Sequence, residues 1–140
     1  MPIHYTVFKK HRIVISTAYG QLTAAEMKAC MDRGLNDPDF NPDFNQIVDF
    51  RAVTTIDMSG EQTRTLANIP LFSSESKRAV VAPDPAKFAV GRMFATYHEM
   101  SRSPSQIKIF YDLASALKWL GIENNSELLR ALTPSSARAK

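Results

Sequence analysis

The stretch Lys77–Ala82, KRAVVA, constrains this chain more than any other. After Lys77 and Arg78 come four consecutive apolar residues with no polar alternation. A strand with one wet face alternates; an uninterrupted apolar strand needs cover on both faces, as the inner strands of parallel sheets do. Parallel neighbours are joined by crossovers, usually helical. The rest of the chain should therefore read as strands alternating with helices.

It does. Ile3, Tyr5 and Val7 alternate with His4, Thr6 and Phe8; after Lys9-Lys10-His11 the apolar run resumes at Ile13-Val14-Ile15. This predicts an opening hairpin over Ile3 to Thr17, ended by Gly20. Thr23-Ala24-Ala25-Glu26 is a capping box, and the helix behind it aligns Met27, Cys30, Met31 and Leu35 on one face. Ile47 to Phe50 predicts the next strand, followed by a helix from Ser59 to about Asn68. Asp84-Pro85 starts a helix that carries Ala86, Ala89, Val90, Met93, Phe94, Tyr97 and Met100 at spacings of three and four. Ile107 to Phe110 is another strand. Asp112 caps a helix with Leu113, Ala116, Leu117 and Leu120 inward, and Gly121 closes it. Ser126 to Leu132 reads as one more short helix, and the tail TPSSARAK as disordered.

The expected fold is α/β: a mostly parallel sheet of about five strands with an antiparallel N-terminal edge strand, right-handed crossovers and about four main helices. Residues 1–122 form the domain, and 123–140 a short helix and tail. Val80, Val81, Ile109, Leu117 and Met27 are expected in the core.

At 140 residues the chain can bury a real core, and its 44% hydrophobic and 22% charged content is that of an ordinary globular protein. The net charge of +3 comes from scattered basic residues, not a stripe, which argues against nucleic acid. No apolar run approaches the ~18 residues of a membrane span, and MPIHYTVFKKH lacks a signal-peptide core, so the expected compartment is the cytoplasm. One cysteine, Cys30, excludes an internal disulfide.

Signs of catalysis are sparse. His4, His11 and His98 have no partner at metal-ligand spacing, and Gly91 stands alone, without a phosphate-loop or dinucleotide pattern. Asp37, Asp39, Asn41 and Asp43 imitate the start of a calcium loop, but Pro42 stands where glycine is needed and Val48 where a bidentate glutamate is needed. Cys30 in an apolar stripe is a buried hydrophobe. Asp49 and Asp57 fit strand-end and cap roles better than an acid/base pair. The expectation is a protein that is not an enzyme and has no metal and no cofactor.

The segment Ile47–Thr63, IVDFRAVTTIDMSGEQT, draws more attention. Ser59-Gly60-Glu61-Gln62 is a second capping box. It follows a strand, which places Ser59 on the carboxyl-end rim of the sheet, where ligands bind in such folds. A phosphate there would add nearly two negative charges at the helix dipole without disturbing the core.

Asp49-x-x-x-Val53-x-x-Ile56-Asp57-x-Ser59-Gly60 resembles the signature of STAS domains, the family of SpoIIAA-type anti-sigma-factor antagonists. Gly20-Gln21-Leu22-Thr23, entering the first helix, matches as well. A later pattern is similar to the SpoIIAA-like proteins grouped with STAS/Sec14 folds: Arg78-Ala79-Val80-Val81-Ala82-Pro83-Asp84, then Phe88, Arg92-Met93-Phe94, Phe110 and Ala116-Leu117-x-Trp119-Leu120. The likeness covers residues 3–122. Met58 and Glu61-Gln62-Thr63 depart from the classical antagonists, which carry a small polar residue and a short apolar helix start there. The resemblance implies a regulatory module that binds a protein partner through a rim of Asp49, Asp57, Ser59 and Gly60, with Ser59 at the position that an anti-sigma kinase phosphorylates. Self-association is compatible with it. The Sec14-like branch implies an alternative, a carrier or sensor of an apolar small molecule or lipid, with Met93, Phe94, Tyr97 and Phe88 walling the pocket.

Overall fold

In the computed structural model, which describes residues 2–101 and 104–133, five strands form one sheet in the order in which they occur along the chain. Strands β1 (Ile3–Phe8) and β2 (Ile13–Thr23) make the antiparallel hairpin; Arg12, at φ 55°, turns the corner between them. β3 (Asn45–Asp57), β4 (Lys77–Val81) and β5 (Gln106–Phe110) add in parallel. Helices α1 (Ala24–Leu35), α2 (Gly60–Ala67) and α3 (Pro85–Glu99) are the crossovers. Each returns the chain to the next strand in line, so right-handedness puts all three on one face. α4 (Leu113–Leu120) and α5 (Ser126–Ala131) follow the last strand and cover the other face.

The two faces separate the core. On one side Ile13, Ile15, Ile47, Ala79 and Val81 pack with Ala116 and Leu117 of α4 and with Leu128 and Leu132 at α5. On the other, Ile3, Ala18, Leu22, Val48, Phe50 and Val80 meet Cys30 of α1, while Val14, Phe44 and Phe72 meet Met31 and Leu66. β4 is covered on both faces, as KRAVVA requires: Ala79 and Val81 face one layer, Val80 the other.

Helix starts follow the caps. Thr23 Oγ1 accepts from Glu26 N–H while Glu26 returns a bond to Thr23 N–H. Asp84 accepts from Lys87 N–H, Asp112 from Ser115 N–H and Asn125 from Leu128 N–H. Gly121 ends α4 at φ 73°.

Several expectations are corrected. Gly20 does not end β2: at φ +65° it lets the strand pass through irregular register shifts at Thr17/Tyr19 and Gly20/Gln21 and continue to Thr23. β3 is far longer than Ile47–Phe50, because β2 runs beside it all the way to Asp57 while β4 pairs with it only as far as Asp49. A two-stranded ribbon thus overhangs the sheet. Leu35 is exposed at the end of α1, and Met100, at 78% exposure, has left the core. α3 turns Gly91 and His98 inward instead; a Cβ on Gly91 would lie 3.2 Å from Ile109. Val80, Val81 and Leu117 are buried, but Ile109 and Met27 only partly, since β5 is an edge strand and Met27 borders open space described below. The tail from residue 134 lies outside the described residues.

Candidate functional site

Ser59 stands at the end of the overhanging ribbon as N-cap of α2. Its Oγ accepts from Gln62 N–H at 3.1 Å, and Gln62 Oε1 accepts from Ser59 N–H at 2.9 Å. Thr63 Oγ1 donates to the Ser59 carbonyl at 2.9 Å. Asp57, Ser59, Gly60, Glu61 and Gln62 are all exposed. Met93 reaches this rim from α3: its Sδ lies 3.9 Å from where a Cβ on Gly60 would be.

Asp49 is not with them. It lies eight residues back along β3, on the order of 25 Å for an extended strand, and is buried. It accepts a bidentate pair from Arg51 Nε and Nη2, at 3.0 and 2.9 Å. Arg51 also donates to the Leu132 carbonyl, so the pair ties the end of α5 to the sheet. The Asp37–Asp43 loop likewise spends its acids internally. Asp37 accepts from Tyr5 O–H at 2.8 Å and from Asp39 N–H, and Asp43 accepts from Ser73 Oγ. Among the described residues no three His, Cys, Asp or Glu side chains are grouped to hold a metal. Cys30 is buried, and burial raises its pKa.

Beneath α1, α2 and α3 lie two adjoining cavities. The first has an empty volume of about 540 Å³ counting its opening to solvent, with Tyr5, Ser16, Met31, Gln46 and Phe72 in its wall. The second, about 490 Å³ on the same measure, is bordered by Phe50, Met58, Thr63, Val80 and Ile107. Met27, Val48, Arg78 and Phe94 line both. Of the four residues expected to wall a pocket, Phe94 lines these cavities. Met93 is at the rim, Phe88 stacks on Tyr111 with centroids 4.0 Å apart, and Tyr97 is half-buried but borders neither space.

Sequence reasoning missed the polar chain beside the cavities. Arg78, 7% exposed, donates from Nε to Gln46 Oε1 at 3.0 Å, and Gln46 donates to Ser16 Oγ at 3.1 Å. Arg78 Nη1 lies 3.5 Å from Ser105 Oγ. His98 holds Ser105. The Ala67 carbonyl, 3.0 Å from Nδ1, can only accept, so Nδ1 carries the proton and Nε2 accepts from Ser105 N–H at 2.9 Å. Burial lowers the His98 pKa, with Arg78 adding to the effect. A depressed folded value means that the neutral ring's contribution is complete above the ordinary value near 6.5. It is lost as pH falls through the folded value, because the unfolded chain takes up the proton first. Unfolding measurements at pH 7 and pH 5 should show the stability advantage of the wild type over His98→Gln narrowing at the lower pH; a constant difference would mean that His98 is not held neutral.

No helix among the described residues is long and apolar enough to cross a membrane. No protein-family model matches the chain, and neither does any curated protein sequence. Among solved structures it is similar to the crystal structure of an uncharacterized protein from the DUF3478 family, with a SpoIIAA-like fold, from Shewanella loihica PV-4. The two are 17% identical and superpose with a TM-score of 0.55 over 84% of this chain and 93% of that one. A likeness at that identity is one of architecture, and on it, together with the in-order sheet, edge hairpin and capped crossovers, the chain has the SpoIIAA-like α/β fold.

Proposed function

We propose that this chain is a non-enzymatic regulatory module that docks a protein partner on the rim formed by Asp57, Ser59 and Gly60, with Ser59 as a phosphorylation switch. The observation that carries the reading is the exposed capping serine at the tip of the β2–β3 ribbon. Its hydroxyl is held by one backbone donor and is open to solvent, so a kinase needs no unfolding to reach it. A phosphate there sits on the amino end of α2, where the helix dipole favours negative charge, and it changes the docking surface without touching the core.

Ser59→Ala should lower stability by about 1 kcal/mol through loss of the cap, whereas Ser59→Asp keeps a capping oxygen and should unfold at nearly the wild-type denaturant concentration. The two should part company in binding. In quantitative pull-downs from the native host, partners that bind Ser59→Ala should be depleted on Ser59→Asp. Equal recovery by both variants would leave Ser59 as a cap and nothing more.

The cavities favour a second reading, a carrier or sensor of an apolar small molecule. A module working only through its rim has no use for apolar space under three helices. Met58 and Thr63, which flank Ser59 and Gly60, border the second cavity, so an occupant would lie directly beneath the rim. Native mass spectrometry of protein from its own host reads phosphate and bound ligand together, and a chain mass with neither adduct would count against both readings.

A further inference from the structure

Arg78 is a cation without a counter-ion. The guanidinium lies inside the protein, on the second residue of β4, and all fourteen aspartates and glutamates of the sequence fall among the described residues. None forms an ion pair with it. Its acceptors are the neutral Gln46 Oε1 and Ser105 Oγ, and its face lies over Phe72 at 4.5 Å and Phe94 at 5.8 Å. Nη2 has no acceptor among the described residues. Burial lowers the Arg78 pKa to about 10, which still leaves it protonated at neutral pH. Buried charges are ordinarily paired, because removing one from water without a partner is costly.

The space beside this charge is specific in two respects. It is apolar, walled by Met27, Val48 and Phe94 on both sides of Arg78, and Arg78 is the one charged residue lining either cavity. A single positive charge is neutralised by a single negative one; a phosphate dianion would leave excess charge in an apolar enclosure. The fork of a guanidinium also matches a carboxylate in two parallel hydrogen bonds. The room open to a water-sized sphere is only about 60 and 50 Å³, and Met27, an unbranched side chain, must shift to join and widen the two compartments around an occupant.

We propose that Arg78 anchors a binding site for an apolar monocarboxylic acid, its carboxylate on the free Nη2 edge and its hydrocarbon body along Met27, Val48 and Phe94. This rests on the small-molecule reading above and gives it a ligand class. Gln46 and Ser105 are positioning residues: they hold Nε and Nη1 and leave the remaining edge turned to the cavity. His98 fixes Ser105 from behind.

The test uses the full chain, unfolded and refolded to strip any co-purified lipid. It is titrated with decanoate and, separately, with 1-decanol, which has the same chain length and no charge, by calorimetry and thermal shift. Decanoate should bind about tenfold or more tighter than decanol, the gain expected of a charge-assisted pair. Arg78→Gln should bind both alike. Should that variant fail to fold, wild-type protein with carboxyl-¹³C decanoate answers the same question, because a carboxylate paired with a guanidinium stays ionised to lower pH than the free acid. Equal affinity for acid and alcohol in the wild type would overturn the role of Arg78 while leaving an apolar cavity site standing. So would a folded Arg78→Gln that keeps the preference, or a bound acid that titrates like the free one. Binding of neither compound would overturn both.

Discussion

Leu117→Ala is expected to lower the free energy of unfolding by about 2–5 kcal/mol in urea titrations of the full chain, and Leu128→Ala by a comparable amount. Both side chains are buried, at 5% and 0% exposure, in the layer that α4 and α5 form over Ile13, Ile15, Ile47, Ala79 and Val81. Truncation removes most of the side chain and leaves a cavity that a flat sheet surface on one side and two short helices on the other can close only in part. Leu128 makes the sharper test. If the last helix were an appendage, its leucine would be worth a few tenths of a kcal/mol, the usual effect of a surface substitution. A loss near that of Leu117 means that residues 123–133 fold with the domain. The double variant should depart from additivity, because the two leucines share one cluster.

The same layer shows what sequence pattern reveals and what it does not. α4 was legible because its cap, its apolar spacing and its closing Gly121 agree with one another, and such agreement across levels is what marks a segment that specifies its own structure. α3 was half legible. Asp84-Pro85 fixes where it starts, but seven apolar residues at helical spacing cover too wide an arc to show which face turns inward. The choice fell to packing: Gly91 sits against Ile109, where a Cβ would crowd the isoleucine at 3.2 Å, and that rotation buries His98 and sends Met93 to the rim and Met100 to solvent. The length of β3 could not be read from Arg51–Asp57, where polar and apolar residues mix. It is set by the neighbouring β2, which supplies hydrogen-bond partners as far as Thr23.

For the site, the rim was legible and the cavity was not. Ser59-x-x-Gln62 is a local motif whose two hydrogen bonds need only four adjacent residues, so sequence suffices. The Arg78 site joins three elements and a connection: Gln46 from β3, Arg78 from β4, His98 from α3 and Ser105 just before β5. One local signal was present. Arg78 precedes Val80 by two in a strand covered on both faces, so it had to point into the same layer as Val80. A charge there is the anomaly that KRAVVA contains, and the pairing Gln46↔Arg78, by which the sheet answers it, is a register fact beyond the reach of one strand's sequence.

The Asp49–Arg51 pair gives the other large effect, and its sign of asymmetry is the informative part. Removing one member of a buried ion pair costs about 3–5 kcal/mol when the survivor is left unpaired out of water. The two survivors here differ. Asp49 has a side chain 7% exposed and cannot reach solvent, whereas that of Arg51 is 32% exposed and long enough to turn outward. Arg51→Met should therefore cost the more, since it leaves the carboxylate only the backbone N–H of residue 51 as donor and also releases the Leu132 carbonyl that Arg51 holds at the end of α5. Asp49→Asn should cost less, about 1–3 kcal/mol, because the guanidinium can hydrate and the amide oxygen still accepts one hydrogen bond. Equilibrium unfolding of the two variants checks the order. Neither should alter recovery of a partner that distinguishes Ser59→Ala from Ser59→Asp under conditions where the protein is folded, because the pair lies well back along β3 from the rim. If Asp49→Asn abolishes that partner's binding while leaving stability near wild type, Asp49 belongs to the docking surface after all, and the ribbon must bend back over it in the complex.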